Sequence, residues 1–242
     1  MMRIYHTSDM HDRQGFAPRL AALRQRAPGL LVDCGDSLRG SQTIYRRDEP
    51  IVAEIDAAGY DLQAMGNREF HYLFGAVRAR AAMMKHPLLC SNLVDTKGRT
   101  LPFRTELVLP LERPTHFLGL LVTQYPVGSP WERIFGWRFL DPIEVVRDYA
   151  QRLPAGESLV VLSHLGLAMD RRLAAAVEGI DLILGGHSHD TLFAPEYVGE
   201  VPIVHAGPYA RYVSQTDLEY DAGSRRLRIG NFELLPLLGE PE

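Results

Sequence analysis

Asp9 and His11 lie two residues apart, and so do His187 and His189. Asp36 closes the run Asp33-Cys34-Gly35-Asp36, Asn67 opens Asn67-Arg68-Glu69, and His164 follows Ser163. Asp9, His11, Asp36, Asn67, His164, His187 and His189 offer only oxygen and imidazole donors. Such a set suits borderline divalent ions (Mn²⁺, Zn²⁺ or Fe²⁺) better than a structural, thiolate-held zinc. Seven ligands exceed the needs of one catalytic ion and match two ions sharing a bridging carboxylate. Two ions roughly 3.5–4 Å apart activate a water and hold both oxygens of a phosphoryl displacement. The two-residue spacings predict that each pair points to one side of an extended backbone. Gly35, Gly66, Gly185 and Gly186 are expected to let the chain turn sharply beside the ions.

These residues need elements that bring them together. β-rich runs at 3–7, 29–33, 62–65, 87–91, 116–123, 159–164, 182–185, 202–206 and 212–220 alternate with helix-period stretches, which predicts an α/β fold. Helical spacing is clear at Leu20, Leu23 and Ala27; at Ile51, Ile55 and Ala58; at Leu73, Val77, Ala81 and Met84; and at Ile143, Val146, Ala150 and Leu153. A helix is expected to begin close to Phe70. Residues from 202 to about 232 read as antiparallel strands closing the sheet, with Asp221-Ala222-Gly223 as a hairpin turn. Five strands then end in Asp, His or Asn, and the carboxyl edge of a parallel sheet is where ligands bind. The stretch 124–142, rich in Pro, Gly and aromatics, reads as a long loop that is functional or a surface for a second copy of the chain, the plainer alternative being that its aromatics fold back onto the core.

The 242 residues are 46% hydrophobic and 23% charged, enough for one sizeable core, and one domain is expected over 1–242. With 26 basic against 30 acidic side chains, the net charge of −4 argues against a nucleic-acid partner held by phosphate neutralisation. No apolar run nears the roughly 20 residues that span a bilayer, and Met1-Met2-Arg3 leads straight into a strand. A cytoplasmic protein with no membrane partner is expected. Two cysteines, Cys34 and Cys90, are too few for a disulfide framework and read as small core residues.

Asp9-Met10-His11, Gly35-Asp36, Gly66-Asn67-Arg68-Glu69, Ser163-His164 and Gly186-His187-Ser188-His189 resemble the five ordered blocks of the calcineurin-like metallophosphoesterases. His6-Thr7-Ser8-Asp9, Cys90-Ser91-Asn92-Leu93 and the segment from His205 to Tyr212 resemble that family's 5′-nucleotidase branch. The resemblance implies a four-layer α/β/β/α sandwich with two metals at the strand ends. One metal would be held by Asp9, His11, Asp36 and His189. The other would be held by Asp36, Asn67, His164 and His187, with Asp36 bridging. The implied reaction is hydrolysis of a small phosphorylated substrate, a 5′-nucleotide-like phosphomonoester or a cyclic phosphodiester, by in-line attack of a metal-bound hydroxide. Asn92 is implied to face the substrate.

Two departures shape the expectation. The family's usual His after the block's Asn is Arg68 here, and the Asp that pairs with it in the 5′-nucleotidase branch is replaced by His71. Arg stays protonated, so it can hold phosphoryl oxygens but cannot serve as a general acid. The acid role is then lost, moved to His71 or left to solvent. The plainer alternative has Arg68 paired with a carboxylate such as Glu69 and His71 capping a helix. The chain also ends at Glu242, so the branch's C-terminal base-clamping domain is not expected. An alternative from another class is a metal-binding regulatory or scaffold protein with little turnover, motivated by Arg68. Arg39, Arg46 and Arg47 read as a solvated loop, and His6, His86, His116 and His205 carry no functional expectation.

Overall fold

The structure is a computed structural model, and it describes residues 1–239. The first half of the chain alternates strand and helix: β1 (Met2–Thr7), α1 (Ala17–Arg26), β2 (Leu30–Asp33), α2 (Ile51–Ala58), β3 (Leu62–Ala64), α3 (Phe74–Met83) and β4 (Leu88–Leu89). Two short or edge strands follow, β5 (Leu93–Asp95) and β6 (Leu107–Pro110). Then come β7 (Pro114–Leu121), α4 (Pro130–Phe135), β8 (Trp137–Phe139), α5 (Pro142–Arg152), β9 (Ser158–His164), α6 (Leu167–Ala176) and β10 (Leu182–Gly185). The chain closes with β11 (Glu196–Val198), β12 (Val201–His205), β13 (Tyr212–Asp221) and β14 (Arg226–Pro236).

Two six-stranded sheets result, in the orders β14-β13-β1-β2-β3-β4 and β11-β12-β10-β9-β7-β6. The inner strands of each run parallel, and antiparallel β13, β14, β6 and β11 finish the edges. Parallel strands covered on both faces read as continuous apolar runs, and every residue of β9 and β10 is buried. Alternate residues serve different layers. Leu182 and Leu184 join Val32, Ile4 and Val160 between the two sheets. Ile183 turns outward onto Val146 of α5 and Leu173 of α6, while Leu31 meets Leu20, Ile51 and Val77 of the other helical layer. Each large side chain so buried contributes about 1.5–3 kcal/mol. The architecture is therefore the expected four-layer α/β/β/α sandwich.

Caps fix where elements begin. Asp141 accepts from the Ile143 and Glu144 amides at the start of α5, with Pro142 in the first turn, where its missing N–H costs nothing.

Three expectations are corrected. The stretch 124–142 is no irregular loop: it carries α4 and β8, and β8 pairs antiparallel with β5. Trp137 and Phe139 there are buried because they pack with Phe70, whereas Trp131 is exposed. The segment 202–206 pairs parallel with β10 in the second sheet, so only β13 and β14 close the first sheet antiparallel, through the hairpin at 222–225. The helix expected near Phe70 begins at Phe74, because the 66–73 stretch turns to serve the strand ends. Finally, α6 has no counterpart in the sequence reading, since its buried residues Leu167, Asp170, Leu173 and Ala174 include a carboxylate that breaks the apolar stripe.

Candidate metal centre

The loops after β1, β2, β9 and β10 interlock at one edge. The Asp9 amide donates to the Gly35 carbonyl (2.9 Å), the His11 amide to the Asp36 carbonyl (3.0 Å) and the Gly186 amide to the Ser163 carbonyl (2.9 Å). The His187 amide reaches the Asp9 carboxylate, 3.0 Å from Oδ2. Backbone conformation aims the side chains. Asp9, His11, Asp36, His187 and His189 all have positive φ, between 50° and 76°, a left-handed state uncommon for residues with a Cβ and concentrated at functional sites. This corrects the expectation of extended pairs: a left-handed twist, not strand alternation, aims Asp9 with His11 and sends His187 and His189 to different clusters.

The glycine expectation is also corrected. Of the four glycines, only Gly35 has positive φ (91°). Gly66 serves close approach instead, since a Cβ there would lie 2.4 Å from the Asp36 amide nitrogen.

Two groups of donors emerge, Asp9 with His11 and His189, and Asp36 with His164 and His187, each with its ligand atoms within 4.8 Å of one another. Asn67 joins the second, its Nδ2 lying 3.3 Å from His187 Nδ1. Nε2 of His11 and of His189 face each other at 2.8 Å. His164 Nε2 is buried with no hydrogen-bond partner, 3.3 Å from Asp36 Oδ1, while its Nδ1 donates to the Cys34 carbonyl at 2.7 Å. That backbone bond fixes the tautomer and leaves Nε2 bare, the usual arrangement of a metal-binding imidazole. Converging imidazole and carboxylate donors, one of them a buried nitrogen with no hydrogen-bond partner, fit a divalent cation.

The electrostatics point the same way. Burial pushes the Asp9 carboxyl up, His164 opposes this, and the charge of Asp36 adds to the rise. Burial would also raise Asp36, but His164 and the Arg68 amide hold it well below the usual carboxylate range. Burial lowers His164, yet Asp36 more than reverses this and holds it up at about 10. His11 is pushed down to about 4 by burial and then by the Arg68 charge, and His187 is lowered by burial and then by His164.

Arg68 is placed beside the centre. Its amide donates to Asp36 Oδ1 (2.8 Å), and its guanidinium Nη1 meets the carbonyls of Leu38, Arg39 and Gly40 at 3.3–3.4 Å. It does not pair with Glu69. His71 is nearly buried; its Nδ1 accepts the Leu73 amide at 2.9 Å just before α3, and its ring also bonds the Thr43 backbone. The Asn92 expectation is corrected: fully buried, its amide group donates to the Leu121 carbonyl (2.8 Å) and accepts the Leu121 amide (2.9 Å), so it braces β7 and cannot face a substrate.

Three positioning groups escaped the sequence reading. The buried Glu69 carboxylate accepts four amides, those of Gly66, Asp36, Ser37 and Leu38, at 2.8–3.2 Å, and so shapes the loop that presents Asp36. Gln124 Nε2 donates to Asn67 Oδ1 (2.9 Å) and orients it. Asp170 links the Ser163 hydroxyl to His205 Nε2, bracing the ends of β9 and β12. An acid within a glycine-led block signals capping in general, but three of the four amides that Glu69 accepts lie some thirty residues away and only the fold supplies them.

The model of the calcineurin-like phosphoesterase family matches residues 2–191. An uncharacterized metallophosphoesterase, YunD, of Bacillus subtilis (strain 168) is 28% identical over 93% of this chain and 52% of its own length. The human 5′-nucleotidase is 25% identical over 91% of this chain and 46% of its own. Among solved structures, a 5′-nucleotidase precursor from Thermus thermophilus superposes with a TM-score of 0.81 at 24% identity, over 98% of this chain and 54% of that one. The chain thus spans about half the length of the curated relatives it matches. The family match runs from β1 to beyond His189 and so contains every donor of both clusters; the chain belongs to the calcineurin-like phosphoesterase family.

Proposed function

We propose that the chain is a dinuclear-metal phosphoesterase acting on a phosphomonoester, 5′-nucleotide-like, or on a cyclic phosphodiester. Members of this family use divalent metals, and one observation carries the finer reading: two three-donor clusters lie together where the strand ends of both sheets meet. Asp9, His11 and His189 would hold one ion, and Asp36, Asn67, His164 and His187 the other, with Asp36 shared. Divalent ions there supply Lewis-acid polarisation of the phosphate and a water acidic enough to attack phosphorus in line at neutral pH.

The chain's own residues do the rest. Two carboxylates, Asp9 and Asp36, under-neutralise two dications and leave a positive centre suited to a phosphate dianion. Arg68 adds charge that can grip a phosphoryl oxygen. His71 is the proposed proton source for the leaving oxygen. In the neutral ring Nδ1 accepts the Leu73 amide and the proton sits on Nε2 toward the Thr43 backbone. His71 would therefore first take a second proton on Nδ1, giving up the Leu73 bond, and then pass the Nε2 proton to that oxygen and return to the neutral ring. A cytoplasmic location belongs to the same proposal and is checked by cell fractionation.

The second reading, a metal-binding regulatory or scaffold protein, draws on the three backbone carbonyls that already occupy Arg68. Elemental analysis and phosphate release decide between them. Protein saturated with Mn²⁺ or Zn²⁺ should carry two ions per chain and hydrolyse mononucleotides, sugar phosphates, cyclic nucleotides or bis-p-nitrophenyl phosphate. At most one bound ion would sink the dinuclear centre; two ions with no hydrolysis of any of these would favour the regulatory reading.

A further inference from the structure

A cavity of about 550 Å³ lies beside the metal centre, within the usual size range of small-molecule sites. Its wall is a column of rings. Tyr125 stacks on Tyr72 (6.2 Å between centroids, 24° between planes), Tyr72 on Phe135 (4.9 Å, 22°) and Phe135 on Trp131 (5.8 Å, 15°). Trp131 ends the column and is 52% exposed, though a tryptophan is costly to leave in water. Gln124 and Thr43 complete the wall. Both are tied to the centre: Gln124 donates to Asn67, and the Thr43 backbone holds His71. Through these two wall residues the cavity adjoins a proposed metal ligand and the proposed proton source, within reach of a departing alcohol.

We propose that this cavity, lined by Thr43, Tyr72, Gln124, Tyr125, Trp131 and Phe135, seats a planar ring, nucleobase-like in size, on the alcohol side of the phosphate ester. The assignment rests on the phosphoesterase reading and narrows its substrate class. Stacking favours any base over none, because every base has a π-face, and discriminates little between bases.

The test compares adenosine 5′-monophosphate with ribose 5-phosphate, which leave through the same kind of primary alkoxide and differ by the base. The ratio of their kcat/KM values should exceed about tenfold, the low end of the stacking range. It should fall toward one in Trp131→Ala, while Trp131→Phe keeps most of it, and uridine 5′-monophosphate should resemble the adenosine ester. A wild-type ratio near one, or a ratio unmoved by Trp131→Ala, overturns the proposal. So does a dimer that Trp131→Ala turns into monomers at an unchanged ratio, which would assign the ring column to a contact between copies. If the metal-loaded protein hydrolyses neither ester, the phosphomonoester reading fails, and adenosine quenching of Trp131 fluorescence over the buried Trp137 decides the ring site separately. Quenching that disappears in Trp131→Phe supports it; no quenching overturns it.

Discussion

The two halves of the candidate metal centre are built differently. Asp36 and His164 are sunk in the protein, with Asn67 and His187 half-buried beside them; the partners of His164 are the Cys34 carbonyl and Asp36. Glu69 fixes the loop beneath Asp36 through four amides, and Gln124 orients Asn67. Around Asp9 the carboxylate is buried, but the His189 side chain is 38% exposed and His11 is only half-buried. That half rests on left-handed backbone and on the Tyr209 ring, 5.3 Å from His11 and 5.6 Å from His189. An ion in the inner half would thus meet more fixed dipoles and less solvent than one in the outer half. The inner half should bind tightly and exchange slowly, and the outer half should exchange freely, because outer partners that orient ligands raise metal affinity by about 10–100-fold.

The most damaging way to break this contrast is to remove the residue proposed to serve both halves. Asp36→Asn should drop metal content below one ion per chain and cut phosphate release by at least about a thousandfold, since the bridging charge offsets repulsion between the cations. Near-normal content of both ions in this variant would show that Asp36 does not bridge.

Next in size is the difference between the halves. His164→Ala should lose the inner ion, and His189→Ala only the outer one, with about one ion remaining in each variant. Dialysis against a weak chelator should strip the wild type in two stages, and the ion left in His189→Ala should be the slow one. Equal stripping rates in the two variants would erase the distinction between an enclosed and an open half.

Arg68 sharpens the comparison from the substrate side. Arg68→Ala should lower turnover by about 10²–10³, the range for one lost charge-stabilising donor, with Lys a partial rescue because it lacks the planar fork. His71→Ala should slow alkoxide leaving groups and spare p-nitrophenolate, which departs without a proton. Equal losses for both would reduce His71 to the capping role its bond to the Leu73 amide already serves.

The smallest effect is in pH. Without metal, His164 is held up at about 10, so at neutral pH it carries a proton that an incoming ion must displace. Inner-site affinity should therefore rise with pH up to about 10, by at most about tenfold per unit. His11, pushed down to about 4, adds no such dependence. The sign for stability is opposite: a raised imidazole pKa stabilises the metal-free fold below about 6.5, and that contribution is lost as pH rises through about 10. Titration calorimetry at several pH values and thermal melts of the metal-free protein measure the two slopes.

The seven candidate donor positions were legible in the sequence because each sits just past a short apolar run, and parallel strands bury such runs on both faces. The four-layer sandwich followed from the same alternation and from the resemblance of the blocks. Other features depended on neighbours that sequence distance hides. The 124–142 stretch looked like loop because its aromatics have no period; they are ordered by Phe70 and Tyr72. Asn92 looked like a substrate contact until Leu121 took its amide.

The sequence alone determined which atoms could bind a cation, since donor chemistry is a property of side chains: oxygens and imidazoles, no thiolates. The tertiary structure decided where they aim. His187 and His189 are two residues apart yet serve different clusters, because both take left-handed backbone and the Asp9 carboxylate pins the His187 amide between them. Glu69 became a brace for Asp36 only when β2 and β3 paired and brought its carboxylate under three amides of another loop. Such backbone states are unfavourable for isolated residues and persist because the surrounding hydrogen bonds over-determine them, so no reading of local pattern could have set them.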